Sequence, residues 1–184
     1  MSVVRLALVS TMSIQSIATA STVTLSAIAP LVAAAIGMPS SFIGTYVCFI
    51  YIGAAFAAVA GGTMVTRYGG IHVSQGCLIL AAIGLMLSAV ANFWCICLGG
   101  LLLGLSYGPI TPASSDILAH TVPKERMGFV FSLKQTAVPL GSALAGFIVP
   151  SVALWANNWQ AGPHVMAIFA LSVALLVLYH RSSL

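Results

Sequence analysis

Six stretches of this chain run for about twenty residues each with almost no charge, at about 6–29, 42–62, 71–92, 95–117, 127–149 and 163–180. A helix needs ~20 residues to cross a ~30 Å hydrocarbon layer, so each stretch is long enough to span a membrane. A soluble fold is excluded by the remainder. Apolar residues make up 60% of the chain and charged ones 4%, where soluble domains hold about 45–50% and about 25%. Six Lys/Arg and two Asp/Glu cannot clothe 184 residues in a solvated surface. The expected fold is an all-α membrane protein, a single six-helix transmembrane domain over 1–184 with the lipid bilayer as its first partner.

The net charge of +4 does not indicate nucleic acid. Its carriers, Arg5, Arg67, Lys124, Arg126, Lys134 and Arg181, are scattered singly and form no basic face. Cys48, Cys77, Cys95 and Cys97 all sit in apolar runs without metal-site spacing, so they read as small hydrophobes. No metal or cofactor is expected. Arg5, the apolar run after it and Ala18-Thr19-Ala20 imitate a secretory signal. Ser10, Thr11, Ser13, Gln15 and Ser16 break that run, however, and it continues to Ala29, which favours a span.

The cations also set an orientation. Arg5 precedes span one, Arg67 lies between two and three, Lys124 and Arg126 between four and five, and Arg181 follows six. The other connections, 30–41, 93–94 and 150–162, contain no Lys or Arg. Cytoplasmic loops are the basic ones, so both termini are expected on the cytoplasmic side of a cell membrane. Leu31–Gly37 reads as a short surface helix, Pro39-Ser40-Ser41 as the start of span two, and Pro163 as a first-turn proline of span six.

Polar residues inside the spans are the candidate site. Span one holds ten Ser, Thr or Gln residues from Ser10 to Ser26. Thr11, Gln15, Thr19, Thr22 and Ser26 share an arc of about 80° at ~100° per residue. That stripe either lines an aqueous cavity or consists of hydroxyls bonded to their own helix. Lys134 lies seven residues beyond Met127, about 10 Å into span five. Intramembrane lysines face a cavity, pair with something, or snorkel to the interface. No acidic residue shares the depth of Lys134, so an anionic ligand is one candidate counter-charge. Gln135 and Thr136 follow it directly, Pro139 frees the Gln135 carbonyl, and Gly141 lies on the same face as Lys134.

Gly53, Ala57 and Gly61 in span two, and Gly100, Gly104 and Gly108 in span four, recur every four residues and suit close helix contact. Pro109 and Pro112 follow in span four. Asp116 is expected at the edge where Arg67 lies, either paired with Arg67 or solvated beside Lys124.

The connection Gly62-Thr63-Met64-Val65-Thr66-Arg67-Tyr68-Gly69-Gly70 resembles the cytoplasmic loop motif of the major facilitator superfamily, G-x-L-A-D-R-x-G-R-R. Gly62, Arg67 and Gly69 match, with Met64 and Tyr68 as conservative replacements. Thr66 stands where the family has Asp, and Gly70 and Ile71 stand where it has basic residues. The glycine- and proline-rich spans four and five are similar to the family's, including Lys134-Gln135-Thr136 and Pro139-Leu140-Gly141. The arginine that many members carry in span four is absent.

The resemblance implies the N-terminal six-helix half of a twelve-helix secondary transporter, built as three-plus-three inverted repeats. It also implies a small-molecule substrate. The expected substrate-binding set is Lys134, Gln135, Thr136, Gln15, Thr19 and Thr22. The expected structural or gating set is Gly62, Arg67, Gly69, Asp116, Gly100, Gly104, Gly108, Pro139 and Gly141. A single bundle is not expected to complete a transport cycle, so a second half or a homodimer is the implied partner.

Two other readings remain. One is a truncated membrane protein that transports nothing. The other is an intramembrane serine protease, suggested by Gly141-Ser142-Ala143, which needs an activating histidine at matching depth. His72, His120, His164 and His180 all fall at span edges, and an enzyme is therefore not expected.

Overall fold

The computed structural model describes residues 3–179, so the positions expected for His180 and Arg181 lie outside it. The described chain is helical throughout, with no strand among the described residues. Span one is α1 (Val3–Ala27), followed by the short α2 (Ala29–Ile36). Spans two and three are α3 (Phe42–Tyr68) and α4 (Gly70–Ser88). Span four is α5 (Phe93–Tyr107) continued by α6 (Ile110–Thr121). A 3-10 turn at Lys124–Arg126 leads into span five, made of α7 (Met127–Gln135) and α8 (Ala137–Trp155). Span six is α9 (Ala161–Tyr179). Among the described residues, six helical stretches are long and apolar enough to cross a membrane.

The connections follow local chemistry. Gly37 ends α2 in the left-handed region at φ 66°. Ser41 holds the N-cap position of α3 without a side-chain capping bond. Asn92 opens α5, its Oδ1 accepting from the Trp94 and Cys95 amides at 3.0 and 3.3 Å. At the far end of that bundle face, the Gln160 side chain donates to the Ala89 carbonyl at 2.8 Å, which ties the five–six connection to the end of span three.

Two boundaries differ most from the sequence expectation. Span two does not stop at Gly62 but runs to Tyr68, leaving Gly69, at φ 80°, as the whole corner before α4. Span five does not stop at Val149. It runs through Pro150 to Trp155. In lipid, continuing a helix past one missing N–H bond leaves fewer backbone groups unpaired than unwinding a turn would.

The packing repeats itself. Span two packs mainly on span four, and span one mainly on span five; span three packs on four, and span six on one. Exchanging one with four, two with five and three with six leaves this pattern unchanged. Exchanged spans run in opposite directions, so the symmetry is that of an inverted repeat. Glycines mark its close contacts. The Cα of Gly53 in span two abuts the Leu101 carbonyl of span four, and that of Gly141 in span five abuts the Ser16 carbonyl of span one. Gly100, Gly104 and Gly108 face Tyr46, Ile50 and Ala54 in turn.

Candidate functional site

A cavity of about 350 Å³ opens between spans one, two, four and five. Thr19, Thr22 and Ser26 of α1 form its polar wall. Tyr51 of α3, Tyr107 of α5 and Ser142 of α8 add hydroxyls to a lining otherwise made of aliphatic side chains. Two of these three hydroxyls also satisfy their own helix. Thr19 donates to the Gln15 carbonyl at 2.9 Å and Thr22 to the Thr19 carbonyl at 2.8 Å. Back-bonding uses the proton and leaves each oxygen able to accept. The stripe on span one therefore serves both readings.

The stripe divides along its length. Thr11 and Gln15 are buried below the cavity, with Thr11 donating to the Ala7 carbonyl at 2.8 Å. Gln15 Oε1 is one of four buried side-chain polar atoms with no protein partner among the described residues, and the one of them on this stripe. An unpaired buried acceptor is unfavourable by about 1–3 kcal/mol, so it favours any donor brought to it.

Lys134 is buried, at 2% exposure, and does not line this cavity. Its Nζ donates to the Thr111 carbonyl at 3.3 Å and to Ser115 Oγ at 3.1 Å, both on α6, and lies 5.9 Å from the Phe131 ring centroid. Ser115 in turn donates to the same Thr111 carbonyl at 2.8 Å. The ammonium thus clips span five to span four through neutral oxygens, with no carboxylate paired to it among the described residues.

Its sequence neighbours part from it. At ~100° per residue Gln135 shares the face of Val138 and Ser142, which line the cavity. Thr136 instead shares the face of the exposed Leu133, Leu140 and Phe147, and its hydroxyl donates to the Leu133 carbonyl at 2.7 Å. The structure does not place Thr136 beside Lys134. Pro139 is exposed one turn along, just past the break between α7 and α8 at Thr136.

Arg67 and Asp116 do not form an ion pair. Asp116 Oδ2 accepts from the Gly70 amide at 3.3 Å, and its Oδ1 lies 3.5 Å from His120 Nδ1. A carboxylate is stabilised at a helix N-terminus by the unpaired amides and the helix dipole, and α4 starts at Gly70. Gly70 must be glycine here, because a Cβ would overlap the Ala113 carbonyl. Arg67 stays exposed, its guanidinium carbon 5.4 Å from the Tyr68 ring centroid. Gly62 is exposed within α3 and touches nothing where a Cβ would stand. Tyr51 and Tyr107, which line the cavity, and Ser115, which meets Lys134, carry no signal in the sequence, where single hydroxyls in separate spans share no spacing. Ser142 itself donates to the Val138 carbonyl at 3.3 Å. No group of three or more His, Cys, Asp or Glu suited to a metal occurs among the described residues.

Comparison with known proteins gives two findings. Residues 11–183 match the family model of the Major Facilitator Superfamily. The uncharacterized MFS-type transporter YhhS is 28% identical over 94 residues in Escherichia coli K12, and the Shigella flexneri protein of the same name matches equally. That match spans 50% of this chain but only 23% of each relative.

Proposed function

We propose that this chain, which belongs to the major facilitator superfamily, supplies one six-helix bundle of a secondary transporter and binds a small solute in the cavity between spans one, two, four and five. The observation that carries the reading is the composition of that cavity: span one offers Thr19, Thr22 and Ser26 at its wall, with the unpaired Gln15 Oε1 just below. Several oxygen acceptors around one apolar pocket suit a solute with hydroxyl or amine donors. Gln135 belongs to the same face of span five, and Lys134 supplies positive charge behind it.

Lys134 favours an organic anion. Its hydrogen bonds go only to neutral oxygens, so its charge has no internal balance, and an anionic group in the neighbouring cavity would supply one. Transport itself requires a second bundle to rock against this one around the shared site. The second bundle is another part of a longer protein, a separate chain or a second copy. The distribution of Lys and Arg supports a cytoplasmic position for both termini and for the Arg67 corner.

Gradient-driven uptake of a panel of small organic anions and matched neutral solutes tests the reading, in the wild type and in Lys134→Met and Gln15→Leu. The expected result is saturable uptake of some anions, lowered about tenfold or more by Lys134→Met, in line with the loss of a charge-assisted interaction. Gln15→Leu is expected to weaken binding of donor-bearing solutes selectively. Uptake of anions and neutral solutes that is equal and insensitive to both substitutions would contradict it.

A further inference from the structure

A second concavity, about 860 Å³, lies on the outer side of the bundle where spans two and three diverge from Gly69. Both helices pack on span four, and only sparsely on each other. Leu105 and Pro109 of span four therefore form the floor of the cleft. Ala60 on one wall and Gly76 on the other keep it wide, and nothing lies within 4 Å of where a Gly76 Cβ would stand.

The cleft is apolar except at one end. Phe56 and Leu80 mark its inner limit, and Arg67 and His72 form the rim by the Gly69 corner. From Phe56 to Arg67 is eleven residues of one helix, about 16 Å at ~1.5 Å per residue. One leaflet of a ~30 Å hydrocarbon layer is about that deep. The rim is built to meet an anion. Asp116 is turned to Gly70 and His120, which leaves Arg67 without an acidic partner among the described residues. His72 Nδ1 donates to the Tyr68 carbonyl at 3.0 Å, which leaves Nε2 of the neutral ring an acceptor, so the cation of the rim is Arg67.

We propose that this cleft holds one glycerophospholipid with an acidic headgroup, its acyl chain between spans two and three and its phosphate on Arg67. Length and charge agree on this occupant: the groove reaches one leaflet deep and is cationic at the headgroup level alone. A partner helix would need neither the depth limit nor the cation.

Native mass spectrometry of the purified full chain, equilibrated with equimolar phosphatidylglycerol and phosphatidylcholine, reads the site directly. The wild type is expected to retain phosphatidylglycerol preferentially. Arg67→Gln is expected to lower that retention about fivefold, the worth of one cation at a membrane surface, and to leave phosphatidylcholine unchanged. Arg67→Lys should keep the preference, and Gly76→Leu, which fills the cleft away from the charge, should lower retention of both lipids. Equal retention of the two lipids by the wild type, or retention unaffected by both Arg67→Gln and Gly76→Leu, would overturn the proposal. So would a phosphate-free molecule or a protein helix seated in the cleft. None of these outcomes bears on solute uptake through the central cavity, so the two sites stand or fall separately.

Discussion

A methyl group built on Gly104 would overlap the Ile50 carbonyl, whereas one built on Gly62 would meet nothing. The two glycines look alike in the sequence, each within an apolar helix, and differ in what faces them. Gly104→Ala is expected to force spans two and four apart and destabilise the bundle by roughly 1–3 kcal/mol, the usual effect of overpacking. Gly62→Ala should be neutral or stabilising by up to about 1 kcal/mol, because alanine is the better helix former. Thermal unfolding in one detergent distinguishes them, and equal melting shifts would contradict the assignment. Spacing at every fourth residue makes the close-contact face of span four legible in the sequence itself. The surroundings of Lys134 were not legible, because backbone carbonyls have no residue type: its partner at Thr111 is a main-chain oxygen. Thr136 turns to another face than Lys134 for a related reason. Adjacent residues on a helix point about 100° apart, so a neighbour in sequence is a poor guide to a neighbour in a site.

Between the helices, the corner at Gly69 shows how one short connection is fixed. Gly69 turns the chain at a positive φ, Gly70 lets α4 start against α6, and Asp116 accepts the first amide of α4. The family motif made Arg67 and Gly69 recognisable, but Thr66 in place of the motif's Asp left the charge partners open. The structure answers with a helix-end contact instead of an ion pair. Asp116→Asn is accordingly expected to lower stability by about 0.3–1 kcal/mol, the scale of a charge at a helix end. A double-mutant cycle with Arg67→Gln should show coupling within about 0.5 kcal/mol of zero, as for residues that share no contact. A coupling above about 1 kcal/mol would restore the ion pair. The ends of spans two and five were less legible than their existence, because Gly61-Gly62 and Pro150 are breakers in water and tolerated residues in a membrane helix.

For the molecule as a whole, six apolar runs and the near absence of charge were enough to read the fold, since only helices or closed barrels can hide their backbone in lipid. The inverted repeat was barely legible in residue identities and is plain in the packing, where Gly53 on Leu101 and Gly141 on Ser16 occupy equivalent places. Spans two and five, equivalent under that repeat, are the least buried of the six. Tyr51 and Val59 are exposed on one, and Phe147 and Leu154 on the other. A second bundle would cover part of this surface, and the cavity wall made by spans one, two, four and five would face it. The most direct test of that account is cysteine accessibility in membranes, with Cys48, Cys77, Cys95 and Cys97 replaced and single cysteines placed at Thr22, Ser142 and Leu140. Reaction with a hydrophilic maleimide at Thr22→Cys and Ser142→Cys, and none at Leu140→Cys on the exposed apolar face of span five, is the result the account predicts. Labelling at Leu140→Cys with Thr22→Cys and Ser142→Cys unreactive would contradict it.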